Sequence, residues 1–194
     1  MLKISPYKII LASNSPRRKE FFNKLEIPYT IKFQKIKENF PSSLKENEIT
    51  DYLVKLKAEK LKNKLKSNEI LITADTIVWF NNKCLGKPKN KIESKKILNQ
   101  LSGKDHTVIT SVAISSFNKQ KVFNEKSIVS FKKLKSAEID FYVENFNTLD
   151  KAGGYGIQDW IGLIGIKKIS GSYTNIVGLP VSQLLENIKF FINK

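Results

Sequence analysis

Apolar and polar positions follow two periods along the chain, and the switches between them mark its elements. Ile9-Ile10-Leu11-Ala12 is an apolar run long enough for one buried strand, ended abruptly by Ser13-Asn14-Ser15. Pro16 then opens a stretch with helical spacing at Phe21, Phe22 and Leu25. Ser15 suits the N-cap, where a hydroxyl accepts from an unpaired first-turn amide, and Pro16 suits the first helical position. Residues 29–33 read as a second strand, and residues 34–47 as a polar connection that carries Glu38. A long helix is predicted over 49–61, capped by Thr50 or Asp51, with Ile49, Leu53, Leu56 and Lys60 along one stripe. Residues 70–80 are nearly continuously apolar, as in a strand covered on both faces, yet Asp75 stands in the middle. Asn81-Asn82-Lys83 makes a hairpin-like turn, and Leu85-Gly86-Lys87-Pro88 leads out of it.

The second half continues in the same manner. Residues 92–101 form a short helix, with Gly103 suited to the residue just past its C-cap. Residues 106–117 and 121–131 read as an antiparallel hairpin around Asn118-Lys119-Gln120. Ser136 is placed to cap a helix over 137–145. Residues 161–169 read as a strand, and residues 171–180 lead into an amphipathic last helix over 181–192. Helices and strands alternate without repeat or linker, so the expectation is an α/β protein: one domain over 1–194, or two closely joined lobes.

Composition narrows the function classes. The chain of 194 residues is 41% hydrophobic and 27% charged, as in soluble globular proteins. No apolar run approaches a membrane span and the N-terminus lacks a signal-peptide core, so no membrane partner is expected. A single cysteine, Cys84, excludes an internal disulfide and fits a reducing, cytoplasmic setting. With one histidine, His106, it cannot build a zinc site, so any metal must be a hard ion held by carboxylates and phosphate. The net charge of +16 invites a nucleic-acid reading. The lysines, however, are spread over the whole chain and far outnumber the arginines, as expected of solvated surface. Nucleic acid is therefore a disfavoured partner.

Five places carry candidate chemistry. Strand, tight turn and helix start come together at Ser13–Arg18, and Arg17 and Arg18 in the first helical turn favour an anion, most simply phosphate. A solvated basic turn is the alternative. Asp75 is costly inside an apolar strand unless a cation, a metal or several donors face it. It is either a catalytic acid at a cleft edge or a structural aspartate capping backbone amides. Lys60 either snorkels out of the core or reaches a cleft. Lys87, between glycine and proline, is held in an extended segment that suits a positioned charge. Asp150-Lys151-Ala152-Gly153-Gly154-Tyr155-Gly156-Ile157-Gln158 has the glycines of a loop that lets backbone approach something closely. His106 reads as structural.

Four separated stretches resemble motifs of the Maf family of nucleoside triphosphate pyrophosphatases, in the right order. They are Ser13-Asn14-Ser15-Pro16-Arg17-Arg18, Ala74-Asp75-Thr76-Ile77-Val78 with Gly86-Lys87-Pro88, residues 150–158, and residues 171–180. One departure is that the family helix often reads Glu-Lys-Ala where this chain has Glu59-Lys60-Leu61. The neighbours of Glu38 give no independent support either. The resemblance implies an elongated mixed β-sheet flanked by helices, in two lobes with a central cleft, as in inosine triphosphatases. It implies hydrolysis of a nucleoside triphosphate to the monophosphate and pyrophosphate. Ser13, Arg17, Lys60 and Lys87 would supply donors and positive charge to the phosphates. Glu38 and Asp75 would hold Mg²⁺ or Mn²⁺, and Asp75 would orient or deprotonate the attacking water. Arg18, Thr76 and Gln158 stand where the subgroup acting on dTTP and UTP carries Arg, Thr and Gln at its base-side positions. A homodimer is left open. The rival, a basic nucleic-acid-binding or septum-formation regulator, explains the charge but leaves Asp75 and the glycine loop without purpose.

Overall fold

The computed structural model describes residues 4–193. Its elements in chain order are β1 (Lys8–Leu11), α1 (Pro16–Lys24), β2 (Tyr29–Ile31), α2 (Asn47–Lys62), β3 (Glu69–Phe80), β4 (Lys83–Leu85) and α3 (Lys91–Leu101). They continue with β5 (Asp105–Ser115), β6 (Gln120–Phe131), α4 (Ser136–Asn145), α5 (Trp160–Gly165), β7 (Ile166–Ser170), α6 (Tyr173–Val177) and α7 (Val181–Ile192). One seven-stranded sheet runs β2-β1-β3-β5-β6-β7, with β4 attached to β3. β1 pairs in parallel with both β2 and β3, whereas β3–β4 and β6–β7 are antiparallel, so the sheet is mixed. The chain divides into two compact units: residues 1–75, 110–125 and 178–194, and residues 76–109 and 126–177.

In the first unit the alternation of strand side chains sorts the core into two faces. Ile9, Leu11, Ile70, Ile72 and Ala74 pack with Phe22 of α1 and Leu184 and Ile188 of α7. Ile10, Ala12 and Leu71 point the other way and pack against Ala58 of α2. Thr73 shares the parity of Leu71, and its hydroxyl donates to the Val54 carbonyl of α2 at 2.9 Å. Asp75 is the next residue of that parity. The start of α2 is tied down by a polar network: Asp51 accepts from Ser111 at 2.6 Å, from Asn124 at 3.2 Å and from Asn47 at 3.2 Å, while Thr50 and Ser111 share a bond of 2.6 Å. Thr50 and Asp51 are thus inside α2, which begins at Asn47 after Glu46, and neither caps it.

The second unit corrects the reading of 161–169 as one strand. Its first part is α5, entered from Asp159 at the N-cap, with Gly162 N–H bonded to the Asp159 carbonyl at 2.9 Å. A Cβ at Gly162 would lie 1.8 Å from the Ile157 carbonyl oxygen, so the turn into α5 demands glycine. Only from Ile166 does the chain pair with β6. A short apolar run does not reveal its period, and here Ile161 and Gly165, four apart, are buried while Leu163 is 80% exposed. The hairpin-like turn at residues 81–83 is present and leads into β4. Asn81 and Asn82 both take positive φ, 48° and 58°, the conformation of a tight two-residue hairpin, and return Leu85 to pair with Val78. Two smaller differences concern α1 and β2. Ser15 occupies the N-cap of α1 without a side-chain capping bond, and β2 stops at Ile31 rather than residue 33.

Candidate active site

The site in the first unit grows from the ends of β1 and β3. β1 ends in the turn to α1, where the buried Ser13 hydroxyl accepts from Ser15 N–H at 3.2 Å and from Arg18 Nη1 at 3.4 Å. Arg18 reaches further: Nη1 donates to the Ala74 carbonyl at 3.0 Å and Nε to the Gly178 carbonyl at 2.8 Å. The arginine next to Arg17 thereby fixes the stretch of β3 just before Asp75. No acidic residue stands in the first turn of α1 to offset the two arginines. Burial draws Arg18 below the ordinary guanidinium value, while the charge of Asp75 opposes that pull.

Strand parity turns Asp75 towards α2, and there it meets Lys57. The ammonium lies 2.5 Å from Asp75 Oδ1 and 2.8 Å from Glu38 Oε1, so two carboxylates converge on one cation. Asp75 is only 7% exposed. Burial holds its carboxyl above the usual aspartate range; Lys57 pulls the other way through charge and hydrogen bond, and Glu38 adds to the rise. Lys60, one helical turn beyond Lys57, is exposed. The lysine at Asp75 is Lys57, three residues before Lys60. The sequence did hold a signal for it, since Lys57-Ala58 is itself a Lys-Ala pair and Ala58 is fully buried against the sheet.

The second unit carries the other candidates. Thr76, half-buried, follows Asp75 in β3. Lys87 is exposed, in a segment pinned by the Gly86 carbonyl, which accepts from Gly153 N–H at 3.0 Å. That bond brings the Gly86-Lys87-Pro88 segment to the glycine loop, whose Ala152–Gly154 stretch forms a short 3-10 turn. Gly153 and Gly154 take φ of 70° and 71°. A Cβ on Gly153 would sit 2.7 Å from Val78 Cγ2. Gln158 is exposed at the end of the loop. Within the first unit, then, Ser13, Arg18, Glu38 and Asp75 come together with Lys57, while Arg17 is half-buried at the start of α1. Within the second, Lys87 and the loop bearing Gln158 share one backbone anchor.

A buried carboxylate and a second one gathered on a lysine stand next to an arginine-bearing strand–turn–helix in an α/β protein, an arrangement chemically suited to a polyanion. The chain belongs to the Maf family: the model for Maf-like proteins matches residues 8–191. It is 54% identical over 187 residues to a dTTP/UTP pyrophosphatase of Christiangramia forsetii, covering 96% of this chain and 95% of that protein. It is 49% identical over 182 residues to a dTTP/UTP pyrophosphatase of Flavobacterium psychrophilum, covering 94% and 93%. In fold it resembles the Ham1 protein of Staphylococcus aureus, with a TM-score of 0.53 at 14% identity over 94% of this chain and 98% of that one. Among the described residues no helix is long and apolar enough to cross a membrane.

Proposed function

We propose that the chain hydrolyses dTTP and UTP at the α–β phosphoanhydride, giving the monophosphate and pyrophosphate, and so clears these nucleotides from the pool. The observation that carries this reading is the convergence of Asp75 and Glu38 on the Lys57 ammonium beside the Arg18 anchor. The two relatives named for the same activity support it. Asp75, with its raised pKa, takes the proton of the attacking water as the water oxygen bonds to phosphorus and the bridging P–O bond breaks. Arg17, Lys57 and Lys87 offset phosphate charge, with Lys60 a further lysine on the same helix. Arg18, Thr76 and Gln158 set the base preference. The Gln158 amide can donate and accept at once, and so match the N3–H and adjacent carbonyl that uracil and thymine share.

A divalent cation fits this site. Among the described residues no cluster of three or more His, Cys, Asp or Glu could hold a metal. Two carboxylates already gather on one positive charge, however, and Mg²⁺ characteristically takes one or two carboxylates together with substrate phosphates. Glu38 and Asp75 would hold Mg²⁺ or Mn²⁺, and the ion would neutralise phosphate charge. The test is pyrophosphate release from dTTP, UTP, CTP, GTP and ATP, with and without chelator and with Mg²⁺ or Mn²⁺ restored. Metal-restored turnover that is fastest on dTTP and UTP supports the reading. Preference for GTP, or salt-dependent retention of DNA without nucleotide turnover, would overturn it.

A further inference from the structure

Gln158 stands at a corner of the chain whose two ends are held by one side chain. Asp159 N–H donates to the Gly156 carbonyl at 3.0 Å, so residues 156–159 close a β-turn with Ile157 and Gln158 as its central pair. Ile157 is buried and Gln158 is exposed, so the turn anchors itself by one central residue and presents the other. Both outer residues of this turn meet the hydroxyl of Tyr142 on α4. That hydroxyl accepts from Gly156 N–H at 3.0 Å and donates to Asp159 Oδ2 at 2.6 Å.

The clamp is rigid on its own side. The Tyr142 ring is fully buried and stacks on Phe146, with centroids 5.1 Å apart and planes at 27°. Burial, first, and the bond to Asp159 hold the phenol far above its ordinary pKa, so it remains a neutral donor. Lys151, itself buried, places its ammonium 3.3 Å from Asp159 Oδ2 and 3.1 Å from Asp150 Oδ1, and also donates to the Asn147 carbonyl. A Cβ at Gly156 would lie 2.7 Å from Asp159 Oδ2 and 2.8 Å from Lys151 Cε, so a side chain there would displace the two groups that meet at the turn. Burying the ring alone would need only phenylalanine. The hydroxyl is spent entirely on the two ends of the turn.

We propose that Tyr142 is a positioning residue for base selection: its hydroxyl fixes Gly156 and Asp159, and thereby the direction in which Gln158 presents its amide to a pyrimidine base. This rests on the reading of Gln158 as a base-side residue. A loosened 156–159 turn leaves the phosphate-binding and water-activating groups of the first unit untouched, and the Lys87 segment still held by the Gly153–Gly86 bond, but spreads the Gln158 amide over several directions.

The experiment measures kcat/KM for dTTP, UTP and GTP on wild type, Gln158→Ala, Tyr142→Phe and Asp159→Asn, together with melting temperatures. Tyr142→Phe is expected to lower kcat/KM for dTTP and UTP about tenfold, the scale of a lost hydrogen bond, with slow GTP turnover unchanged. Asp159→Asn keeps an oxygen to accept from Tyr142 and should retain most of the preference. An equal fall on all three substrates, or an unchanged preference in a folded Tyr142→Phe, would overturn the proposal. Where Tyr142→Phe does not fold, Asp159→Ala decides: a narrowed preference supports the clamp and an unchanged one overturns it. A wild type without pyrimidine preference, or a Gln158→Ala that matches wild type, removes the base-side reading and the proposal with it. Those two results are distinguished by arising before Tyr142 is touched.

Discussion

Lys57 Nζ lies 2.5 Å from Asp75 Oδ1, and even so the Asp75 carboxyl remains above the usual aspartate range. Desolvation outweighs the lysine. A fully compensated ion pair would pull the pKa down, so the raised value is what the proposed proton transfer requires of Asp75.

Asp75→Asn keeps the shape and removes the base. Turnover is expected to fall at least about 10²-fold, the lower scale of general-base catalysis. Stability should not fall with it. An acid whose folded pKa is raised binds more protons folded than unfolded, so its ionisation costs stability as pH rises through that window. At neutral pH the asparagine variant avoids that cost. Steady-state pyrophosphate release and a thermal melt check both halves, and wild-type turnover with saturating metal would refute the role.

The pH profile follows from the same shift. A protonated Asp75 can neither accept a proton from water nor hold a metal ion, so kcat/KM falls as pH drops through the Asp75 pKa, which in the metal-free site stands above that of an ordinary aspartate. Glu38 contributes a like charge that raises Asp75. Glu38→Gln is therefore expected to shift the acid limb to lower pH, whatever it does to the plateau. A limb that stays in place would show that Glu38 does not act on Asp75.

Lys57→Met and Lys60→Met separate two lysines a single turn apart. Lys57 touches both carboxylates, so its loss is expected to cost turnover about 10²-fold or more, with weaker triphosphate binding. Lys60→Met should be far milder and no less stable, since Lys60 is exposed. Comparable losses in the two variants would place both in the site.

The sequence made Asp75 conspicuous because a charge inside a continuous apolar strand has few explanations. It hid Lys57 because the stripe on α2 was followed through Leu56 to Lys60. The face that packs carries Ile49, Thr50, Leu53, Val54 and Ala58, and Lys57 lies on it, three residues after Val54 and four after Leu53. Strand parity would have helped: Leu71, Thr73 and Asp75 share a face, and Thr73 already bonds to Val54 one turn before Lys57. Residues 161–169 read as one strand because isoleucine, leucine and glycine suit a strand and a helix start equally. The close approach of Gly162 to the Ile157 carbonyl, five residues back, belongs to the turn that starts the helix, and a glycine alone does not announce it. The Tyr142 clamp had no local signature at all, because its partners lie 14 and 17 residues away in sequence.

His106 predicts an acid-sensitive fold rather than a catalytic group. Its Nε2 shares a 2.6 Å bond with the Tyr155 hydroxyl, its Nδ1 has no partner, and it packs between Phe131 and Tyr155. Burial lowers its pKa from 6.5 to about 4. Between those values the unfolded chain binds more protons, so stability is lost as pH falls through the window, by up to about 3 kcal/mol. His106→Gln, which does not titrate, should show a flatter loss between pH 6.5 and 4 in chemical denaturation. Parallel curves for variant and wild type would mean that His106 is protonated at no cost.

Gly153 makes the most exposed claim about the glycine loop. Its φ of 70° disfavours any side chain, and a Cβ would meet Val78 Cγ2 at 2.7 Å, well inside contact distance. Its N–H also holds the Gly86 carbonyl, so a shift of the loop loosens the segment that carries Lys87. Gly153→Ala should therefore destabilise by about 1–3 kcal/mol from overpacking and backbone strain together, and lower kcat/KM. The two causes can be told apart. Val78→Ala removes the methyl groups that Cβ would strike but leaves φ unchanged, so Gly153→Ala should cost less in that background while still costing something. Urea denaturation of the wild type, both single variants and the double variant measures the coupling. A Gly153→Ala penalty that is the same in both backgrounds would show that Val78 does not set the closeness of the loop, and a penalty of zero in both would show that the left-handed backbone is not required.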